Sequence, residues 1–208
     1  VELDESGTLL AVWRRFGDPP EPPTGPWAYF GFVELFRYSG GAWVHAATIP
    51  AVDADCATMG LSGDGNTLVR SCGDSVEVRR APGWQRVAVL PNTVYSTLYS
   101  PEPRDVAVSH DGTGFAVRSV ISLAGGGGSD SQAWVNVYRL GTGGWAREAS
   151  LAPGEWCDGQ STPEDPNEGF GMSIAMSRDG RFVAVRAAGN VVPGHGVVYP
   201  PTTWSPGL

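Results

Sequence analysis

One short phrase occurs four times in this chain of 208 residues. It reads Val1-Glu-Leu-Asp-Glu-Ser-Gly7-Thr-Leu-Leu-Ala-Val12, then Met59-Gly-Leu-Ser-Gly-Asp-Gly65-Asn-Thr-Leu-Val69. It returns as Val106-Ala-Val-Ser-His-Asp-Gly112-Thr-Gly-Phe-Ala-Val117 and as Ile174-Ala-Met-Ser-Arg-Asp-Gly180-Arg-Phe-Val-Ala-Val185. A long-period repeat decides the architecture before any single motif does. The same local unit is expected four times over.

Each copy predicts two strands around a tight turn. The first strand alternates apolar with small or polar residues, as a half-buried strand does. Ser-x-Asp-Gly then supplies a hairpin turn. Its glycine (Gly7, Gly65, Gly112, Gly180) takes the positive-φ position, and Asp64, Asp111 and Asp179 bond nearby backbone N–H groups. The returning strand reads as fully buried. A third strand follows in Phe32–Tyr38, Ser75–Arg79, Trp134–Arg139 and Gly196–Tyr199. A fourth is expected to open on Trp43, Trp84, Trp145 and Trp204.

Four strands per unit make one blade of a β-propeller. The expected fold is therefore all-β: a propeller of four four-stranded antiparallel blades in one domain, near 1–50, 51–91, 92–152 and 153–208. Such a chain either closes alone or forms part of a larger ring. Arg14–Pro26, Ser122–Ser131 and Trp156–Glu168 read as loop insertions.

The order Ser-x-Asp-Gly-x-x-Leu-Ala-Val, Val-x-Val-Tyr-Arg, Gly-Trp-x-x-x-Ala-x-Leu resembles the FG-GAP repeats of integrin-α-type propellers, in their bacterial and algal tandem form. Phe170-Gly171 through Val185 is the fullest match, and nearly the whole chain is covered. Phe-Gly introduces the fourth unit alone. Asp55-Cys56 and Glu102-Pro103 stand at that place in the second and third. The Asp-x-Asp-x-Asp-Gly calcium loop of integrin blades is absent, so neither calcium nor any other cofactor is expected.

A net charge of −8 and a pI near 4.8 argue against nucleic acid, because phosphate binding needs concentrated Lys and Arg. No apolar run is long enough to span a bilayer as a helix. All 14 basic residues are arginine, and low lysine with many Gly, Ser, Thr, Trp and Pro residues is common in extracellular β-proteins. No Asn-x-Ser/Thr sequon occurs, and Tyr199-Pro-Pro-Thr-Thr203 has the composition of an O-glycosylated stalk.

Counting outward from a Ser62–Asn66 pair brings Cys56 opposite Cys72. A disulfide there is the expectation and implies an oxidising compartment. Two buried free thiols are the alternative. Cys157 is left over.

His45, His110 and His195 have no partner at metal-site spacing, and His110 is expected in solvent at the variable turn position. Asp53, Asp55, Asp158, Glu164, Asp165 and Glu168 read as solvated acidic loops rather than calcium ligands. The repeated tryptophans read as blade-packing residues. No acid, base and nucleophile converge. The expected function is a non-catalytic extracellular or cell-surface module, structural or adhesive. Its expected partners are other protein chains, including self-assembly into filaments or arrays. A glycan- or calcium-binding lectin-like module and a polysaccharide-acting enzyme are the competing classes.

Overall fold

The computed structural model describes residues 1–15, 31–50, 56–72, 75–92, 105–125, 128–152, 170–171, 173–186 and 197–199. Blade one comprises β1 (Glu2–Leu3), β2 (Leu9–Arg15), β3 (Gly31–Ser39) and β4 (Ala42–Ile49). Blade two comprises β5 (Cys56–Leu61), β6 (Thr67–Cys72), β7 (Ser75–Arg80) and β8 (Gln85–Pro91). Blade three comprises β9 (Val106–Val108), β10 (Gly114–Gly125), β11 (Gly128–Gly141) and β12 (Gly144–Leu151). Blade four shows β13 (Ser173–Met176), β14 (Val183–Arg186) and β15 (Val197–Tyr199). Each sheet is antiparallel and runs in sequence order. The strand expected at Trp204 lies outside the described residues, as do Cys157, His195, Trp27, Trp156 and the acidic loop residues.

Successive side chains of a strand point to opposite faces. A blade between two others therefore buries both faces of its inner strands, which is why β6 is buried throughout, with Thr67, Arg70 and Ser71 covered along with Leu68, Val69 and Cys72. Leu68 joins Leu9, Leu35 and Ile49 in the seam with blade one, while Val69 joins Phe115, Val117 and Tyr138 in the seam with blade three. Ala116, Val135 and Val137 face the other way and meet Phe170, Ile174 and Val183 of blade four. Three inter-blade cores thus hold four sheets.

The turns fold as their sequence dictates, with one inversion. In blade two, Ser62 Oγ donates to Asp64 and accepts the Thr67 N–H at 2.8 Å. Ser109–Asp111 and Ser177–Asp179 repeat the arrangement. Blade one carries Asp4-x-Ser6 instead. There Asp4 Oδ1 accepts the Thr8 and Leu9 N–H groups, each at 2.7 Å, and the Ser6 hydroxyl donates to Oδ2. The swap keeps the same backbone donors satisfied.

All four turn glycines have φ between 64° and 69°. Three of them also seat the turn against the preceding blade. A Cβ on Gly112 would lie 2.5 Å from the Thr67 Cβ of blade two and overlap its hydroxyl. Gly65 meets Leu9 and Asp4 of blade one, and Gly180 meets Ser109 and Arg139 of blade three. Gly7 meets nothing within 4 Å.

The structure corrects several details. Trp84 does not open the fourth strand of blade two. It sits in the Ala81–Trp84 turn at φ 54°, with its ring in the first seam, and β8 starts at Gln85. Trp43 lies on β4 and is 43% exposed, so it does not pack a seam; its ring lies against Tyr38. Trp145 does pack a seam, against Phe115. Ser122–Ser131 is not a plain loop insertion: the β10–β11 ladder continues through Ser122↔Ser131 to Gly125↔Gly128.

Cys56 and Cys72 are bridged and directly opposed in register. The expected count to reach them was one residue off at the turn, where Ser62 pairs with Thr67 and Leu61 with Leu68. An irregularity between Cys56 and Thr58 restores the register.

Two stability measurements check these packing arguments. Gly7→Ala meets only the backbone penalty of a left-handed residue, about 1–2 kcal/mol. Gly112→Ala adds overlap with Thr67, worth about a further 1–3 kcal/mol, so the two variants separate clearly in urea titrations. Replacing both Cys56 and Cys72 with serine opens a cross-link of sequence separation 16. That should lower the unfolding free energy by about 3 kcal/mol, and treating the native protein with reductant should reproduce the loss.

Candidate functional site: the row of turns

The four hairpin turns lie side by side, joined by backbone hydrogen bonds. The Glu5 N–H donates to the Gly63 carbonyl at 2.9 Å, the Asp64 N–H to His110 at 2.8 Å, and the His110 N–H to Arg178 at 3.0 Å. Glu5, Gly63, His110 and Arg178 occupy the same turn position, the one the repeat leaves variable. Three of their side chains converge. Glu5 Oε2 meets His110 Nδ1 at 2.5 Å, Glu5 Oε1 meets Arg178 at 3.4 Å, and Arg178 lies 3.4 Å from His110 Nε2. His110 is thus partly covered, with Glu5 and Arg178 against its ring, rather than solvated. The fourth residue is glycine, and a Cβ there would fall 2.5 Å from His110 Nδ1 and 3.1 Å from Glu5 Oε2, so a larger residue would displace these side chains. An open depression lined by Asp111, Ser177, Arg178, Asp179 and Phe182 adjoins this cluster.

The turn carboxylates are committed to structure. Burial raises the affinity of Asp4 and Asp64 for a proton, but hydrogen bonds from the Leu9 N–H and Ser6, and from Ser62 and Asn66, outweigh it. Both groups end below the ordinary 3.8. Asp111 shifts the same way, with Thr113 and Ser109 as donors against burial. Asp179 is lowered chiefly by the Arg181 N–H. Glu2 moves oppositely: burial raises it, the terminal ammonium opposes that, and the Asp105 carboxylate adds to it.

Other polar groups fasten blades together. Arg70 is fully buried and pairs with Glu77, which also takes Arg79 at 2.5 Å; Arg70 donates to the Pro50 carbonyl as well. Arg80 reaches the Gly112 carbonyl and Arg139 the Gly180 carbonyl, so in blades two and three an arginine late in the third strand clasps the next turn. Asp105 accepts the Val106 N–H and, from blade four, the Ile174 N–H at 2.7 Å. The Asn136 amide donates to Asn92, and the Tyr138 hydroxyl to the Pro91 carbonyl at 2.6 Å; burial pushes that phenol up to about 12. Sequence reading missed these groups. The signal for the clasps was the arginine closing the third strand of two repeats.

Among the described residues no three His, Cys, Asp or Glu side chains group as metal ligands. His45 lies on β4, bonded to Thr48 and edge-on to Phe36.

No family model matches the sequence, and no curated protein does. Solved structures do match. One of Sqt1 from Chaetomium thermophilum gives a TM-score of 0.52 at 16% identity, over 88% of this chain and 39% of that one. A second Sqt1 structure gives 0.50 at 20% identity, over 85% and 40%. A eukaryotic initiation factor gives 0.50 at 14% identity, over 96% and 42%. The fold is a β-propeller. The chain spans about two-fifths of the length of these structures.

The pH dependence of stability follows from the turn carboxylates. Their folded-state pKa values lie below 3.8, so the native state binds fewer protons than the unfolded chain in that range. Their stabilisation is complete above 3.8 and is lost as pH falls through the folded values. Thermal unfolding between pH 7 and pH 2.5 should show Tm falling in the acid limb, and more shallowly in an Asp64→Asn/Asp111→Asn variant. Glu2 carries the opposite sign, so Glu2→Gln should raise Tm at pH 7 and the gain should vanish below the ordinary value of 4.5.

Proposed function

We propose that this chain is a non-catalytic extracellular module, structural or adhesive. In this reading it presents its row of turns to other protein chains and assembles into filaments or surface arrays. The cluster of Glu5, His110 and Arg178 carries the reading. It gathers both signs of charge from three blades on one rigid surface, where the framework Ser, Asp and Gly of each turn are already committed. Such a surface suits recognition of a partner's polar groups.

The Cys56–Cys72 bridge supports an oxidising compartment, since disulfides persist outside the cytosol. Membership of the FG-GAP family, as the repeat suggests, accords with a cell-surface role. The buried charges weigh against an enzyme. Glu77 is committed to Arg70 and Arg79 of its own blade, Arg70 also to the Pro50 carbonyl, and Asp105 to the Ile174 N–H of blade four.

The test pairs two measurements. Cross-linking at the surface of the source cells compares the native protein with an Glu5→Ala/His110→Ala/Arg178→Ala variant of matched Tm. A defined protein partner, captured by the first and lost at least tenfold by the second, is expected. A panel of polysaccharide substrates and a glycan array complete the test. Turnover on any polysaccharide would overturn the reading.

A further inference from the structure

The His110 ring lies between two partners of opposite chemistry. Glu5 Oε2 meets its Nδ1 at 2.5 Å, and the Arg178 guanidinium stands 3.4 Å from its Nε2. A carboxylate only accepts a hydrogen bond, and a guanidinium only donates. The neutral ring answers both in a single tautomer, with Nδ1–H donating to Glu5 and the Nε2 lone pair accepting from Arg178. In that state the charges of Glu5 and Arg178 cancel, and Arg178 is engaged by the ring and, at 3.4 Å, by Glu5 Oε1.

Protonation suits one neighbour and repels the other. The bond to Glu5 gains charge assistance. Nε2 becomes an N–H that faces a donor, so the bond from Arg178 is lost. Arg178 is the part that yields, because its side chain is 70% exposed and its contacts in the cluster are the long ones. Two other carboxylates stand beside the ring. Asp64 faces it from the β5–β6 turn, and Asp111 follows it in its own turn. Their oxygens are engaged by Ser62 and Asn66, and by Ser109 and Thr113, so neither is free to take the new N–H.

We infer that His110 makes the row of turns an acid-gated site for a carboxylate of a partner protein. This rests on the reading that the row faces other protein chains, and it names the chemistry taken there. With the ring neutral, Nε2 offers a lone pair that repels a carboxylate, and Glu5 balances the Arg178 charge. With the ring charged, Nε2–H and the released guanidinium are adjacent donors, and the cluster carries a net positive charge. An aspartate or glutamate side chain places one oxygen on each. The two side chains are 28% and 70% exposed, so the pair is open to such a partner. Histidine changes charge between about pH 5 and 8, where a partner's carboxylates stay ionised.

Fluorescence anisotropy of a labelled glutamate-rich peptide with the whole chain tests this, at low salt where surface charge is least screened. Binding is expected to tighten about tenfold between pH 8 and pH 5. The chain's net negative charge also fades toward its pI near 4.8, which favours any acidic peptide in acid. His110→Gln keeps that background but cannot take the proton, so it should lose the gain. Arg178→Gln, at an exposed position, should lose it too, whereas His45→Gln, outside the row, should keep it. Imidazole nitrogen chemical shifts read the ring without any ligand, and the Nδ1–H tautomer is expected near pH 8. A neutral ring carrying its proton on Nε2 overturns the inference, as does a wild type without the acid gain or a gain that survives His110→Gln. The peptide needs no natural partner. Gating without capture at the cell surface therefore overturns the proposed function alone, and capture without gating overturns this inference alone.

Discussion

A blade of this kind has two apolar faces, and neither is stable in water. That constraint organises the molecule. In β6 it removes the alternation that a half-exposed strand would show, because Leu68 and Val69 serve opposite seams. It also fixes the size of the turn residues, since closing a seam brings each turn against the preceding blade. Gly112 is therefore held by two demands at once, a left-handed backbone and the absence of a Cβ; Gly65 and Gly180 share the first and pack tightly on the preceding blade. Gly7 answers the first demand alone.

Polar groups fasten what the apolar faces bring together. Arg70 occupies a seam position where Val12, Val117 and Val185 stand in the other blades. A lone guanidinium there would be severely penalised, and Glu77 across the ladder, with Arg79 behind it, makes it tolerable. Burial of the pair adds little net stability by itself, but removing one partner leaves an unpaired charge. It also fixes position, because Arg70 bonds the Pro50 carbonyl at the exit of blade one. Asn136 and Asn92 tie blade two to blade three in the same way, and Arg118 with the Phe170 carbonyl ties three to four. Each seam thus has an apolar body and at least one directional bond, which sets the relative register of sheets that packing alone would let slide.

The strands, the turns and the disulfide were legible because they depend on local chemistry. Period-two patterning, Ser-x-Asp-Gly and the place of Trp43 and Trp145 all act within one hairpin. The Cys56–Cys72 pairing was reached through a register that was wrong by one at Ser62 and set right by an irregularity near Ala57. A backbone irregularity of that kind leaves no mark in side-chain order. Trp84 misled because it fits the fourth-strand pattern but sits in a four-residue turn that carries its ring into the seam. Glu5, His110 and Arg178 were invisible as a site. They are 105 and 68 residues apart along the chain, and only the closing of the blades brings them together.

That convergence follows from what the repeat leaves free. In each turn the Ser or Asp oxygens hold backbone N–H groups, and the glycine seats the turn, so three of four positions have no latitude. The second position alone points its side chain away from these duties. Its backbone carries the bond to the neighbouring turn, which needs no particular side chain. The fold therefore lines up one freely variable residue per blade on a single rigid row. Here the row reads Glu, Gly, His, Arg, and the glycine is as specific as the charges, since any larger residue at 63 would keep Glu5 and His110 apart. A fold whose bonds leave that side chain free can vary the chemistry of the row without changing how it folds.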